Sequence, residues 1–375
     1  MAKKPREYQE AAINSFFDYY GSGKTGNSLI VAPVGAGKSL ILSEIIKRVL
    51  DSAHKTKIVV LSHVMELLVQ DSAELFELDN SISMGFYCAG LGKKDIRSDV
   101  IFASIQSIYD KASIFYDPVK IIIIDEAHLI SHNDDTSYRR FISDCKTRNP
   151  NLVVLGLTGT AFRSDTGRLD SGDGKLFDDI IYEIPITFML DEGYLVRPTS
   201  NVVNTKFDLT GVGIRGGDYV LGQLSAAVDV DEKTKACVSE IIEHGKNRNK
   251  WLVFAASKEH CLHIYTEMLS RGISVGMVTS DTPREERDNV IQMFRSGVIT
   301  CMVNVAVLTT GFNVPDIDLL AFLRPTRSPV LYIQCIGRGM RPVYAPGFDL
   351  STREGRLTAI AKGSKPNCLV LDFGC

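Results

Sequence analysis

The sequence predicts an α/β protein made of two consecutive αβ halves, each a mainly parallel sheet with helices on both faces. Short apolar, β-branched runs alternate with helical stretches along all 375 residues, the pattern of parallel strands joined by crossover helices. One run, Val119-Lys-Ile-Ile-Ile-Ile124, has the composition of a central strand covered on both faces. The length suits two domains of about 150–200 residues.

The elements follow in order. A helix over 6–20 is expected after Pro5, and it carries Arg6, Tyr8 and Gln9. Leu29 to Ala32 reads as a buried strand and Ser39 opens a helix. Strand 57–62, helix 63–76 and the short strand 100–103 come next, then strands 119–124 and 151–157. The Ser-, Asp- and Gly-rich stretch 164–178 is expected to be a flexible surface loop. Residues 193–200 read as a linker, so the domains are expected at 1–196 and 197–375. Beyond it, 208–230 is glycine-rich and poorly periodic. Helices 233–245, 257–270, 283–296 and 328–339 then alternate with strands 250–255, 273–278, 299–305, 317–323 and 368–373.

Between the first strand and its helix lies Pro33-Val34-Gly35-Ala36-Gly37-Lys38-Ser39. Glycines let backbone approach a polyphosphate, and a helix N-terminus offers N–H groups and the positive end of its dipole. Lys38 would neutralise β/γ charge, and Ser39 is placed to ligate Mg²⁺. Ala32 stands where the strict phosphate-loop pattern has its first glycine. The plain alternative is a strand-to-helix turn that merely prefers glycine. Asp125-Glu126-Ala127-His128 follows the most buried strand, at the end where doubly wound sheets bind ligands. An acid there needs a cation. Asp125 suits Mg²⁺ and Glu126 suits a base toward water, unless both are solvated loop charges.

Composition narrows the classes. The net charge of −3 requires any nucleic-acid partner to be held by a local basic groove. Eight scattered cysteines form no C-x-x-C pair, so zinc is not expected and the thiols read as buried hydrophobes of a reducing cytosol. Neither a signal peptide nor a membrane span is expected, which points to a cytoplasmic protein.

These residues resemble motifs I and II of superfamily 2 helicases, and Thr158-Gly-Thr160-Ala-Phe-Arg resembles motif III. Val307 to Pro315 is similar to motif V, and Gln334-Cys-Ile-Gly-Arg338-Gly-Met-Arg341 to motif VI. Arg6 to Gln9 resembles the adenine-reading Q motif, and Val59 to Gln70 motif Ia. The Asp-Glu-Ala-His signature and the flanks Ile181-Tyr-Glu-Ile-Pro and Leu319 to Thr326 are closest to the RadD-like branch of bacterial and phage DNA repair helicases.

The resemblance implies two tandem RecA-like domains, ATP and Mg²⁺ as cofactors, and DNA, single-stranded or branched, as partner. It implies that Gln9 reads adenine with Arg6 nearby. His128 and Gln334 would link the γ-phosphate region to Thr158 and Thr160. Arg338 and Arg341, three apart on one expected helix, would be arginine fingers; the bland alternative is a solvated basic face. Thr309, Thr310 and Gly311 would couple the nucleic-acid backbone to ATP, and Asn313, an amide where an acid is usual, would meet a ribose hydroxyl. Ala161 replaces a common proline of motif III. Ser62, His63, Ser104, Gln106 and Ser107 are either phosphate contacts or helix caps.

The insert 342–367, with Arg353, Arg356, Lys362 and Lys365, is expected to be a disordered solvated loop, with DNA contact as the alternative. In that branch a cysteine-rich zinc module follows the core, and a sequence stopping at Cys375 is either a minimal core or one whose end has been removed; only 316–333 separates motif V from motif VI, too little for a strand-separating hairpin. Two other classes stay open: an ATP-switched clamp that recruits a partner such as a single-strand-binding protein, and an RNA remodeller.

Overall fold

The computed structural model describes residues 4–130, 136–163, 167–305 and 314–374. Contacts divide the chain into two compact units, Met1–Ile186 and Thr187–Cys375. Residues 187–196 therefore go with the second unit and not with the first. Val196 N–H binds the Met340 carbonyl at 2.7 Å, and Gly193 lies against Arg356 and Leu357.

The strands of the first unit are β1 (Ser28–Val31), β2 (Ile58–Ser62), β3 (Met84–Cys88), β4 (Lys93–Lys94), β5 (Val100–Ser104), β6 (Ile121–Ile124), β7 (Val153–Thr158), β8 (Phe162–Arg163), β9 (Gly167–Arg168) and β10 (Asp179–Glu183). Its helices are α1 (Glu7–Gly21), α2 (Lys38–Ser52), α3 (Met65–Leu78), α4 (Ile105–Ile108) and α5 (Ser137–Arg148), and α6 (Ile186–Asp191) runs into the second unit. The main sheet has the order β10-β1-β7-β6-β2-β5-β3-β4 and is parallel except at the β3–β4 edge. Every residue of β1, β2, β5 and β6 is buried, which is why these strands read as continuous apolar runs. The half-exposed β3 and β10 lack that signal and were not anticipated. Because β1, β2, β5, β6 and β7 are parallel, the segments leaving their C-terminal ends emerge along one edge of the sheet.

Over its described part the stretch 164–178 is an exposed turn at 171–175, as expected of a surface loop, but it is anchored at both ends. Phe162–Arg163 pairs with Gly167–Arg168 as a small hairpin, and Leu169 and Phe177 are buried in the core. Gly156 of β7 leaves the space that the Phe177 ring fills beside Leu29. Phe177→Ala is expected to lower stability by about 3 kcal/mol. Urea unfolding measures this, and an unchanged midpoint would contradict the packing.

The second unit contains β11 (Pro198–Ser200), β12 (Ile214–Arg215), β13 (Asp218–Tyr219), β14 (Trp251–Phe254), β15 (Val275–Val278), β16 (Cys301–Asn304), β17 (Leu319–Phe322) and β18 (Cys368–Asp372). Helices α7 (Leu221–Val228), α8 (Asp231–Gly245), α9 (Lys258–Ser270), α10 (Arg284–Ser296), α11 (Pro329–Gly339) and α12 (Arg353–Lys362) accompany them. Its sheet, β11-β18-β17-β14-β16-β15, is parallel throughout. Alternate residues feed two cores. Val253, Val303, Ala321 and Leu371 belong to one, while Leu252, Met302, Leu320 and Val370 belong to the other.

Within 208–230, Gly216 and Gly217 turn a short hairpin at φ +62° and +81°. Asp218 of that hairpin accepts hydrogen bonds from Thr326 Oγ1 at 2.9 Å and Arg327 N–H at 2.7 Å.

The insert 342–367 is folded, which overturns the expectation of a disordered loop. Thr352 caps α12 by accepting from Gly355 N–H at 3.1 Å. Arg356 is buried on Glu192 and on the Leu350 and Ser351 carbonyls, with its guanidinium 4.1 Å from the Tyr194 ring centre. Lys365, only 1% exposed, donates to the Pro315 and Arg341 carbonyls at 2.7 and 2.8 Å. Burial pulls its ammonium down to about 8. Both cations close the interior of the unit and are withdrawn from any DNA surface. Among the described residues no helix is long and apolar enough to cross a membrane.

Candidate active site

The phosphate loop is stitched to the sheet where β1 ends. Ala32 N–H donates to the Thr158 carbonyl at 2.8 Å, so the residue in place of the usual glycine continues the pairing with β7 just past the end of β1 and sits fully buried. Gly35 and Gly37 adopt φ +90° and +82°. A side chain at Gly37 would be strained and would strike the Gln9 amide. Lys38 and Ser39 open α2, whose first N–H groups have no intrahelical acceptor. An anion is what those N–H groups lack.

Asp125 and Glu126 leave β6 beside this loop and are 4% and 8% exposed. Glu126 holds φ 52°, ψ 51°, a left-handed conformation that L side chains seldom adopt and that recurs at functional sites. Its carboxylate bridges Lys38 Nζ at 3.4 Å and His128 Nδ1 at 3.3 Å. His128 Nδ1 also lies 3.0 Å from Thr158 Oγ1. That hydroxyl donates to the Thr160 carbonyl at 2.9 Å and accepts Thr160 N–H at 3.2 Å. With the Thr158 proton so engaged, His128 presents Nδ1–H, a tautomer assigned from the network. Burial lowers the His128 pKa, which keeps the ring neutral. Arg163 braces the turn by donating to the His128 and Ile130 carbonyls.

Burial, with the Asp71 and Glu126 charges adding to it, pushes the Asp125 carboxyl well above the ordinary range, and Lys38 opposes this. Asp125 Oδ1 is buried without a hydrogen-bond partner. An orphaned carboxylate oxygen close to Lys38 of the phosphate loop fits Mg²⁺, which keeps waters and substrate oxygens and needs one or two protein ligands. Among the described residues no three His, Cys, Asp or Glu side chains are gathered to hold a metal by themselves.

On the α1 side, Gln9 is 5% exposed, donates Nε2–H to the Ala36 carbonyl at 2.8 Å and accepts Arg6 N–H at 2.8 Å. Tyr8 OH reaches the same carbonyl at 3.2 Å, and Arg6 Nη1 meets Tyr8 OH at 3.3 Å. Gln9 thus touches the loop backbone directly.

Along the same edge, His63 Nδ1 lies 2.7 Å from exposed Gln106 Nε2, and its ring stands edge-on to Tyr138. Ser62 is fully buried and caps the turn by accepting Val64 N–H at 3.2 Å. Ser104 pairs with Ser107 at 3.0 Å, and Ser107 accepts Ala89 N–H. The structure thus gathers His63 and Gln106 on a surface, whereas the serines are engaged within the fold.

In the second unit Gln334 and Arg338 lie on α11. Arg341 does not share their helix, which ends at Gly339. Met340 caps it, and Pro342 disfavours helical backbone at Arg341. A side chain at Gly339 would strike Cys368 and Leu320, so this helix end lies flat on β17 and β18. Burial, together with repulsion from Arg338, pulls the Arg341 guanidinium down to about 10. Two guanidiniums held close enough to repel each other suit an anion. Thr309, Thr310, Gly311 and Asn313 lie outside the described residues.

Sequence reasoning missed Tyr138 and Asp71. Asp71 carried a usable signal. It occupies the position between Leu67 and Leu75 that helical periodicity reserves for an apolar residue, and it is 1% exposed.

Residues 2–163 match the family described as type III restriction enzyme, res subunit, and residues 232–343 match the helicase conserved C-terminal domain. The putative ATP-dependent helicase IRC3 of Saccharomyces cerevisiae is 32% identical over 357 residues, 90% of this chain and 49% of that protein. The putative mitochondrial ATP-dependent helicase irc3 of Schizosaccharomyces pombe is 31% identical over 392 residues, 100% of this chain and 58% of that protein. A solved fragment of a putative HsdR subunit of a type I restriction enzyme from Vibrio vulnificus YJ016 shares the fold with a TM-score of 0.70 at 19% identity, over 98% of this chain and 64% of that one. The chain therefore spans about half the length of the curated relatives it matches.

Proposed function

We propose, from the premise that this chain belongs to the superfamily 2 helicases and carries two tandem RecA-like domains, that it is the ATP-driven core of a DNA translocase. The observation that carries the reading is the continuous link from Lys38 through Glu126 and His128 to Thr158 and Thr160. It joins the phosphate loop to the segment after β7, as an enzyme that converts hydrolysis into movement requires.

In this reading Lys38 turns from Glu126 to the β/γ-phosphates when nucleotide enters. Ser39 and Asp125 hold Mg²⁺, which supplies charge neutralisation on the transferred phosphoryl group. Glu126 orients and deprotonates the attacking water, and His128 reports its state to Thr158. Arg338, Arg341 and Gln334 are assigned to the γ-phosphate. Gln9 and Arg6 take the adenine side, Asn313 the ribose, and Thr309, Thr310 and Gly311 the nucleic-acid backbone. His63 and Gln106 offer nucleic-acid contacts at the exposed edge.

The preference for DNA rests on the form of the phosphate loop, on Leu157-Thr158 leading motif III and on the RadD-like flanks. Residues 316–333 are taken up by β17, a turn and the start of α11, which leaves no wedge there. Stacking holds duplex DNA by about 1.4 kcal/mol per step, so the chain alone should translocate and remodel more readily than it unwinds.

The test is ATPase rate, at one salt concentration, with no nucleic acid, single-stranded DNA, forked DNA, duplex DNA and RNA. A strand-separation assay on forked and blunt duplexes of increasing length accompanies it. Stimulation by DNA above RNA with weak unwinding of long blunt duplexes is expected. RNA outperforming every DNA, or efficient unwinding of long blunt duplexes, would refute the respective part.

A further inference from the structure

Beside the phosphate loop, α3 carries a carboxylate that the roles above do not use. Asp71 is 1% exposed, and one of its oxygens lies within reach of the Ser39 hydroxyl. Its other oxygen, Oδ2, is buried without a hydrogen-bond partner, as is Asp125 Oδ1. The neighbouring residue on α3, Gln70, donates Nε2–H to Ser39 Oγ at 3.1 Å.

A serine hydroxyl has one proton to give and two lone pairs to receive. At Ser39 the proton faces the Asp71 carboxylate, and one lone pair is taken by Gln70. A single lone pair remains. From this geometry we infer that Asp71 is a positioning residue of the nucleotide site, which orients the Ser39 hydroxyl so that its remaining lone pair meets Mg²⁺. The inference rests on the nucleotide reading above and adds to it a residue outside the loop and its acids.

Charge supports the assignment. Asp71, Asp125 and Glu126 crowd close enough to repel one another beside Lys38, a repulsion that a divalent cation would relieve. Carboxylates that orient the ligands of a metal, without binding it, commonly set its affinity. A plain buried acid in a helix core would instead be paired by a cation or by backbone N–H groups on both oxygens. Asp71 has Ser39 on one oxygen and no partner on the other.

The experiment measures binding of a fluorescent ADP to the full chain, first without metal and then titrated with Mg²⁺. Wild type is compared with Asp71→Asn, Asp71→Ala, Ser39→Ala and the Asp71→Ala/Ser39→Ala double variant. For Asp71→Ala we expect metal-free ADP affinity within twofold of wild type and a Mg²⁺ half-saturation raised about tenfold. Asp71→Asn keeps an acceptor for the hydroxyl and should recover most of that loss. The double variant should match Ser39→Ala, because Asp71 acts through Ser39. Additive losses, or an unchanged Mg²⁺ half-saturation in both Asp71 variants, would overturn the inference while leaving the nucleotide site intact. If Asp71→Ala does not fold, Asp71→Asn decides: equal loss to Ser39→Ala refutes the orienting role and recovery supports it. Absence of ADP binding by wild type would instead refute the nucleotide reading and this inference with it.

Discussion

Glu126→Gln is expected to bind ATP and Mg²⁺ close to wild-type affinity and to lose turnover about a thousandfold. A general base contributes on the order of 10²–10⁴ to rate, and an amide of the same shape cannot accept the water's proton. The substitution keeps the Cβ, so the left-handed backbone at φ 52° is held as before. It also keeps a carbonyl oxygen for Lys38, which in wild type lies 3.4 Å from the carboxylate. Lys38→Ala is the contrasting case. It removes the ammonium itself and should weaken nucleotide binding as well as abolish hydrolysis. Equilibrium binding of a fluorescent ATP analogue alongside steady-state phosphate release separates the two. Wild-type hydrolysis by Glu126→Gln would show that another group activates the water.

The second large effect is expected in the other unit. Arg338→Ala and Arg341→Ala should each lower kcat by roughly 10³, about 4 kcal/mol of transition-state stabilisation, with ATP affinity changed far less. The reason is chemical: a guanidinium is worth most where charge develops, on the γ-phosphate oxygens as they leave. Arg338 is only 7% exposed, and the pair sits close enough for Arg338 to lower the Arg341 pKa. Two like charges held close in a partly dry setting repel, and the transferred phosphoryl group would offset that repulsion. Replacement by Lys should recover little, because a point charge lacks the planar fork. Single-turnover hydrolysis with saturating ATP is the measurement. Normal rates in both single variants would refute any role for the second unit in hydrolysis.

Much of the site was legible in the sequence because its chemistry depends on residues close together in the chain. Gly35 to Ser39 and Asp125 to His128 each carry their own local geometry, and the strands that present them announce themselves as unbroken apolar runs. What sequence reasoning missed depends on partners far away. β10 at the sheet edge and β3 one strand in from the other edge are less fully buried and leave a weaker pattern. Periodicity had no means of telling that Phe177 would fill the space over Gly156, since that contact joins residues 21 apart across a stretch rich in polar residues.

The sequence by itself determined two αβ halves, a glycine-rich loop after the first strand, and which acids and arginines are candidates for the site. Tertiary structure alone decided the fate of the charges. Arg356 and Lys365 read as solvated, yet both are interior, because Glu192 and four backbone carbonyls lie where their donors end. Arg341 was expected on a helix that in fact stops two residues earlier, under Gly339 and ahead of Pro342. Asp71 read as one polar residue in an apolar helix until α2 brought Ser39 against it. A charged side chain costs several kcal/mol when buried alone and little when its hydrogen bonds are met. Whether they are met depends on which distant segments pack around it.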